Sequence, residues 1–237
     1  MNGLVSQPVL GRGDSYPTLE VTNDAFFNGL KRNSSISKVT LRCGRRVLAG
    51  GVFHEILNAY QENNEHITYL QIRSADVQNG GEHAIADTLR CCTNIQELDL
   101  QNVVSGRGID INDSMELVPI VEAIRGHCSL ENLSLENCQV GSVDQCEVLA
   151  TLLRDPNSNL QSLNLRTNII GIEGANVIIN GLANNTKLRK LYLTLNRTDR
   201  YESAKNFYTL LCNKSSINDI HHQIIHLKRY HLNPTVM

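Results

Sequence analysis

The chain has 237 residues, 41% of them apolar and 19% charged, with a net charge of −2. That supply of apolar side chains excludes a wholly disordered chain, and the near-neutral balance excludes a nucleic-acid binder that works by neutralising many phosphates. Aromatics are scarce, with no Trp and four Phe, so a core must be built from Leu, Ile, Val and Ala, which suits thin stacked layers that a bulky ring would distort.

Residues 1 to 17 hold two Pro and three Gly and no periodic apolar pattern, the composition of a flexible N-terminal leader. No basic stretch there runs into an apolar one, and nowhere do about 18 apolar residues follow one another, so a cytoplasmic protein without membrane contact is expected. The GRGDS string at 11 to 15 resembles an integrin-binding tripeptide, but in a chain without a secretory signal it reads as leader. Leu19, Val21, Phe26, Phe27 and Leu30 then predict a short strand and helix over residues 18 to 35. That stretch is too short for a full repeat and fits an N-terminal cap covering the first layer of a solenoid.

From residue 36 the spacing apolar-x-x-apolar-x-apolar recurs, at Ile36/Val39/Leu41, Ile67/Leu70/Ile72, Ile95/Leu98/Leu100, Leu130/Leu133/Leu135, Leu160/Leu163/Leu165 and Leu188/Leu191/Leu193. A seventh copy begins at Ile217 and Ile220. The period of 28 to 35 residues leaves room in each copy for a short strand and a returning helix. Within the returns at 84–92, 118–126, 146–154 and 176–184, apolar residues recur at i, i+3, i+4 and i+7, the period of one buried helix face. Stops follow at Gly126, Pro156 and Asn184–Asn185, by left-handed geometry or by loss of a donor.

The residue that closes each strand motif must satisfy loop backbone groups buried by the stacking, a task suited to Asn. Asn168 and Asn196 hold that place and Cys138 takes it in the fourth copy, while Gly44, Ala75 and Val103 stand there in the first three. The segment LQSLNLRTNIIGIEGANVIINGLANNTKLRKLYLTLN, residues 160 to 196, resembles the ribonuclease-inhibitor-like leucine-rich-repeat family. The likeness extends over residues 36 to 220 and is strongest from Ile95 to Asn196. The resemblance implies an α/β fold, a right-handed leucine-rich-repeat solenoid with parallel strands on the concave face and helices on the convex face. It implies no enzyme by itself.

Past Ile220 the strand pattern is lost, and residues 221 to 237 form a His-rich tail that offers no evident closing helix. His222 and His226 have the i, i+4 spacing of two metal ligands, but no Glu lies between them and no third ligand is apparent, so no metal is expected. The seven cysteines (43, 91, 92, 128, 138, 146 and 212) include no CxxC pair and are expected to be reduced and mostly buried.

Residues between the inward-pointing apolar positions face the concave side and form three columns along the stack. The central column is Thr40, Gln71, Asp99, Ser134, Asn164 and Tyr192. After it come Arg42, Arg73, Gln101, Glu136, Arg166 and Thr194, and before it Lys38, Tyr69, Glu97, Asn132, Ser162 and Lys190. An acidic middle of Glu97, Asp99 and Glu136 is thus flanked by Lys38, Arg42 and Arg73 on one side and Arg166 and Lys190 on the other. Such a face steers a partner of complementary charge or neutralises itself laterally, for instance Glu136 with Arg166, and both readings stay open. Tyr69 and Tyr192 are the candidate anchors.

The sequence contains no GxSxG, no phosphate-cradling GxxxxGK[ST] loop and no evident nucleophile–base pair. The expectation is therefore a monomeric, non-enzymatic protein-interaction scaffold with no cofactor, binding a protein partner on its concave strand face. The family resemblance also brings two alternatives. One is a regulator of a small GTPase, similar to leucine-rich-repeat GTPase activators but without their acidic C-terminal tail. The other is a sensor or adaptor segment of a larger regulatory protein.

Overall fold

A computed structural model describes residues 35–42, 59, 65–77, 80–105, 114–125, 127, 129–193, 196 and 224–225. The leader, nearly all of the N-terminal cap, Gly44, Gly126, Thr194, Ile217, Ile220, the tail histidines and Cys43, Cys128 and Cys212 lie outside the described residues.

Seven strands form one sheet in strict chain order. They are β1 (Lys38–Arg42), β2 (Tyr69–Arg73), β3 (Glu97–Gln101), β4 (Asn132–Glu136), β5 (Ser162–Asn164), β6 (Lys190–Tyr192) and β7 (Ile224–Ile225). Every pairing is parallel and none slips, so Val39, Leu70, Leu98, Leu133, Leu163 and Leu191 make one row and Leu41, Ile72, Leu100 and Leu135 a second. Parallel neighbours require a crossover connection, and the described crossovers are helical: α1 (Gly81–Cys91), α2 (Val118–Arg125), α3 (Val143–Arg154) and α4 (Ile172–Gly181). The last strand falls at Ile224–Ile225, paired with Lys190 and Leu191, within the stretch that the sequence pattern assigns to a tail.

Leu70, Leu98, Leu100, Leu133, Leu135, Leu163, Leu165, Leu191 and Leu193 are buried between sheet and helices, with Ile85, Leu89, Ile120, Leu149 and Ile178 from the helices. Each such side chain is worth about 1.5–3 kcal/mol of transfer free energy, which makes this layer the main favourable term in the fold. Helix α2 starts at Val118 as the apolar period indicates, whereas α1, α3 and α4 start three or four residues earlier. For α3 the reason is a capping box: Ser142 Oγ accepts from Gln145 N at 3.1 Å and Gln145 Oε1 accepts from Ser142 N at 3.2 Å. The same amide donates to Met115 O at 3.1 Å, tying the cap to the preceding repeat.

Helix α3 stops as predicted ahead of Pro156, with Asp155 extended, the conformation forced on a residue before proline. Helix α4 ends at Gly181, ahead of the predicted Asn184–Asn185 stop, through tightened turns such as Leu182 N to Ile179 O at 2.9 Å. Asn185 serves the next turn instead, accepting from Lys187 N and Leu188 N at 2.9 and 2.7 Å and donating to Leu153 O at 2.7 Å. Gly181 sits where α4 crosses α3, since a Cβ there would lie 3.0 Å from Ala150 Cα. That close approach holds the two helices to the spacing set by the sheet.

The loops after the strands carry the buried polar work. Asn168 Oδ1 accepts from Cys138 N and Val140 N, both at 3.0 Å, while its Nδ2 donates to Leu135 O at 2.8 Å and Leu165 O at 3.0 Å. Asn196 repeats the arrangement one layer on, accepting from Ile170 N at 3.0 Å and donating to Leu165 O and Leu193 O. Cys138 performs part of it, its thiol donating to Leu100 O at 3.3 Å. Ala75 and Val103 have no polar side chain to give. There the loops pair backbone to backbone, Val104 N with Ala75 O at 3.0 Å and Val77 N with Val104 O at 2.8 Å.

One position earlier, Ser74, Asn102, Asn137 and Thr167 all have φ between 54° and 58°. These left-handed residues turn the chain out of the strand, and the first three each bond forward to the next layer, at Gln101 O, Glu136 O and Arg166 O. Asn137 Nδ2 also donates to Asn102 Oδ1.

Replacing Asn168 by Ala strands two buried N–H groups and the carbonyl of Leu135. With an unsatisfied buried group costing about 1–3 kcal/mol, Asn168→Ala is expected to destabilise by about 2–4 kcal/mol, read as a lowered urea midpoint.

Candidate functional site

The in-register ladder converts the alternating strand residues into physical columns. Lys38, Tyr69, Glu97, Asn132, Ser162 and Lys190 are paired partners in sequence, as are Thr40, Gln71, Asp99, Ser134, Asn164 and Tyr192. The third column holds Arg42, Arg73, Gln101 and Glu136 within the ladder, and Arg166 lies two residues beyond the end of β5.

A depression of about 420 Å³ opens on the concave face between β2 and β6. Its walls bring together eleven of the column residues read from sequence: Arg73, Glu97, Asp99, Gln101, Asn132, Ser134, Glu136, Ser162, Asn164, Arg166 and Tyr192. Lys38, Arg42, Tyr69, Gln71 and Lys190 do not line it. Lys38 and Tyr69 form their own contact at the N-terminal end, with the Lys38 Nζ 5.7 Å from the ring centroid, within cation–π range. Of the two tyrosine anchors, Tyr192 is the one inside the depression.

The carboxylates are held in place by neighbouring strands. Asp99 Oδ2 lies 3.6 Å from Arg73 Nη2 and accepts from Gln71 Nε2, which explains why Gln71 is buried on an otherwise open face. The Asp99 side chain retains 17% exposure and Arg73 37%, so this ion pair is worth about 0–1 kcal/mol. Glu136 Oε2 accepts from Asn164 Nδ2 at 3.1 Å, and the same amide donates to Ser134 Oγ at 3.2 Å. Asn164 Oδ1 in turn accepts from Arg166 N at 3.1 Å. The neutral Asn164 amide orients Glu136, and Glu97 is exposed beside it. The Tyr69 hydroxyl is pushed above its usual range by burial, then by Asp99 and Glu97, which keeps it a neutral hydrogen-bonding group.

The described cysteines are free. Burial pushes the Cys92 and Cys138 thiols up to about 12 and the Cys146 thiol up to about 11, so each stays protonated and unreactive near neutral pH. Among the described residues no group of three His, Cys, Asp or Glu side chains is arranged to hold a metal ion, and no helix is long and apolar enough to cross a membrane.

Layered parallel strands, one helix in each turn between β2 and β6 and the buried Asn168 and Asn196 give the chain the fold of a leucine-rich-repeat protein, similar to the ribonuclease-inhibitor-like type. Among curated proteins the chain is 30% identical over 157 residues to pig (Sus scrofa) ribonuclease inhibitor, an alignment covering 66% of this chain and 32% of that one. The chain therefore spans about a third of the length of this curated relative. No protein-family model matches. A solved structure of a Bacteroides fragilis protein aligns over 84% of this chain and 70% of its own at 14% identity, with a TM-score of 0.38, too low to carry an argument.

Because the folded state keeps thiol protons that the unfolded chain gives up above about pH 8.5, the unfolded state binds fewer protons there and stability falls with rising pH. The contribution is whole below that value and is lost progressively toward pH 12. Urea midpoints are expected to drop between pH 7.5 and pH 10. At pH 8 iodoacetamide is expected to spare Cys92, Cys138 and Cys146 in the native protein and to label them once urea is added, as read by peptide mass spectrometry.

Proposed function

We propose that the chain is a non-enzymatic scaffold that binds a protein partner on its concave strand face. The observation that supports this most directly is the 420 Å³ depression, where residues from five consecutive strands or the loops that follow them converge although they are distant in sequence. Its acidic centre and basic margins provide charge selectivity. Tyr192 adds a rigid amphipathic ring of the kind enriched at binding hot spots. The likeness to a protein named ribonuclease inhibitor, one that acts on an enzyme, favours a macromolecular partner over a small molecule.

The side chains that would bind are pre-set by bonds between neighbouring strands. Gln71 and Arg73 fix Asp99, and Asn164 fixes Glu136, so little rotamer entropy remains to be lost on association.

Affinity capture with the intact chain, followed by titration of the recovered partner, tests the assignment. Reversing both acidic centres in Asp99→Lys/Glu136→Lys is expected to weaken binding at least 30-fold, and Tyr192→Ala about tenfold. Retention of full affinity by both variants would remove the concave face as the site.

A further inference from the structure

A second depression, of about 530 Å³, lies at the rim where the strands begin, with Gln96, Glu131, Asn159, Gln161, Lys187 and Arg189 among its walls. We propose that this rim groove takes an extended peptide segment of a partner protein, with an acidic side chain against Lys187 and Arg189 and a basic side chain about three residues away against Glu131.

The backbone of this rim is already satisfied. Gln96 O accepts from Glu131 N and Asn132 N, Glu131 O from Gln161 N and Ser162 N, and Gln161 O from Arg189 N and Lys190 N, all at 2.7–3.0 Å. Strand addition is therefore closed to a ligand, and recognition falls to the side chains, of which each layer contributes one at the same register. Their charges are uncompensated. Lys187 Nζ donates to Asn159 Oδ1 at 3.2 Å, a neutral partner, and among the described residues neither Arg189 nor Glu131 forms an ion pair. Arg189 and Glu131 are exposed.

The spacing selects the ligand. Glu131 and Arg189 stand two layers apart, about 10 Å at the strand separation of parallel sheets, which three residues of a polyproline-II segment span at about 3.1 Å each while placing side chains i and i+3 on one face. Between them, Gln161 and Asn159 present amides, able both to donate to and to accept from a peptide backbone. A uniformly anionic chain such as a single-stranded nucleic acid would place a phosphate against Glu131, so the mixed charge favours a peptide.

The test uses the isotope-labelled full chain and five probes: a capped hexapeptide Gly-Glu-Ala-Ala-Lys-Gly, its reversed sequence, the version with both charges replaced by Ala, the version with Glu at both charged positions, and hexathymidylate. One of the two charged peptides is expected to shift the amide resonances of Glu131, Gln161 and Arg189, with the Ala version at least tenfold weaker. Lys187→Glu/Arg189→Glu is expected to weaken binding about tenfold, and Glu131→Lys to transfer preference to a peptide carrying Glu at both charged positions. Asp99→Lys/Glu136→Lys is expected to leave these affinities unchanged. Equal binding of charged and Ala peptides, indifference to the rim substitutions, or stronger binding of hexathymidylate would each overturn the rim assignment without touching the concave face.

Discussion

Everything in this molecule depends on the requirement that parallel strands stack in one register while the loops between them lose contact with water. The ladder supplies partners for the strand backbone but not for the turns that follow. Each layer therefore needs a device at the same place, and the described layers use three. Asn168 and Asn196 use a side-chain amide that donates and accepts at once, Cys138 uses a thiol that donates weakly, and the loops at Ala75 and Val103 bond to each other directly. The third device works because the loop itself rearranges, Asp76 and Val104 forming an isolated bridge outside the strands.

The same register that buries the leucines also assembles the face. Residues about 30 positions apart become lateral neighbours about 4.8 Å apart, so a carboxylate on one strand is positioned by the strands beside it. Asp99 receives a charged partner and a neutral one, and Glu136 accepts from the Asn164 amide. The outcome is an acidic centre ordered by its neighbours.

The strand columns from β1 to β6 were legible in the sequence, because in-register parallel pairing maps the repeat directly onto space. The stacking asparagines were legible for the same reason, and so was the break at Pro156. Two features were not. The left-handed column at Ser74, Asn102, Asn137 and Thr167 mixes residue types, so only its constant position one residue before the closing site marks it. The rim column at Gln96, Glu131, Gln161 and Arg189 occupies the first variable position of each motif, where no burial pattern draws attention.

Sequence alone determined the architecture, since the period of the leucines, the helical spacing of the returns and the closing asparagines each follow from short-range chemistry repeated at a fixed interval. Tertiary structure decided where the depression lies, which carboxylate is paired and with what, that Tyr192 rather than Tyr69 enters the site, and that the final strand falls at Ile224–Ile225. The division has one cause. Periodicity is written along the chain, whereas the curvature of the stack and the choice among rotamers across it depend on atoms that meet only when the layers close.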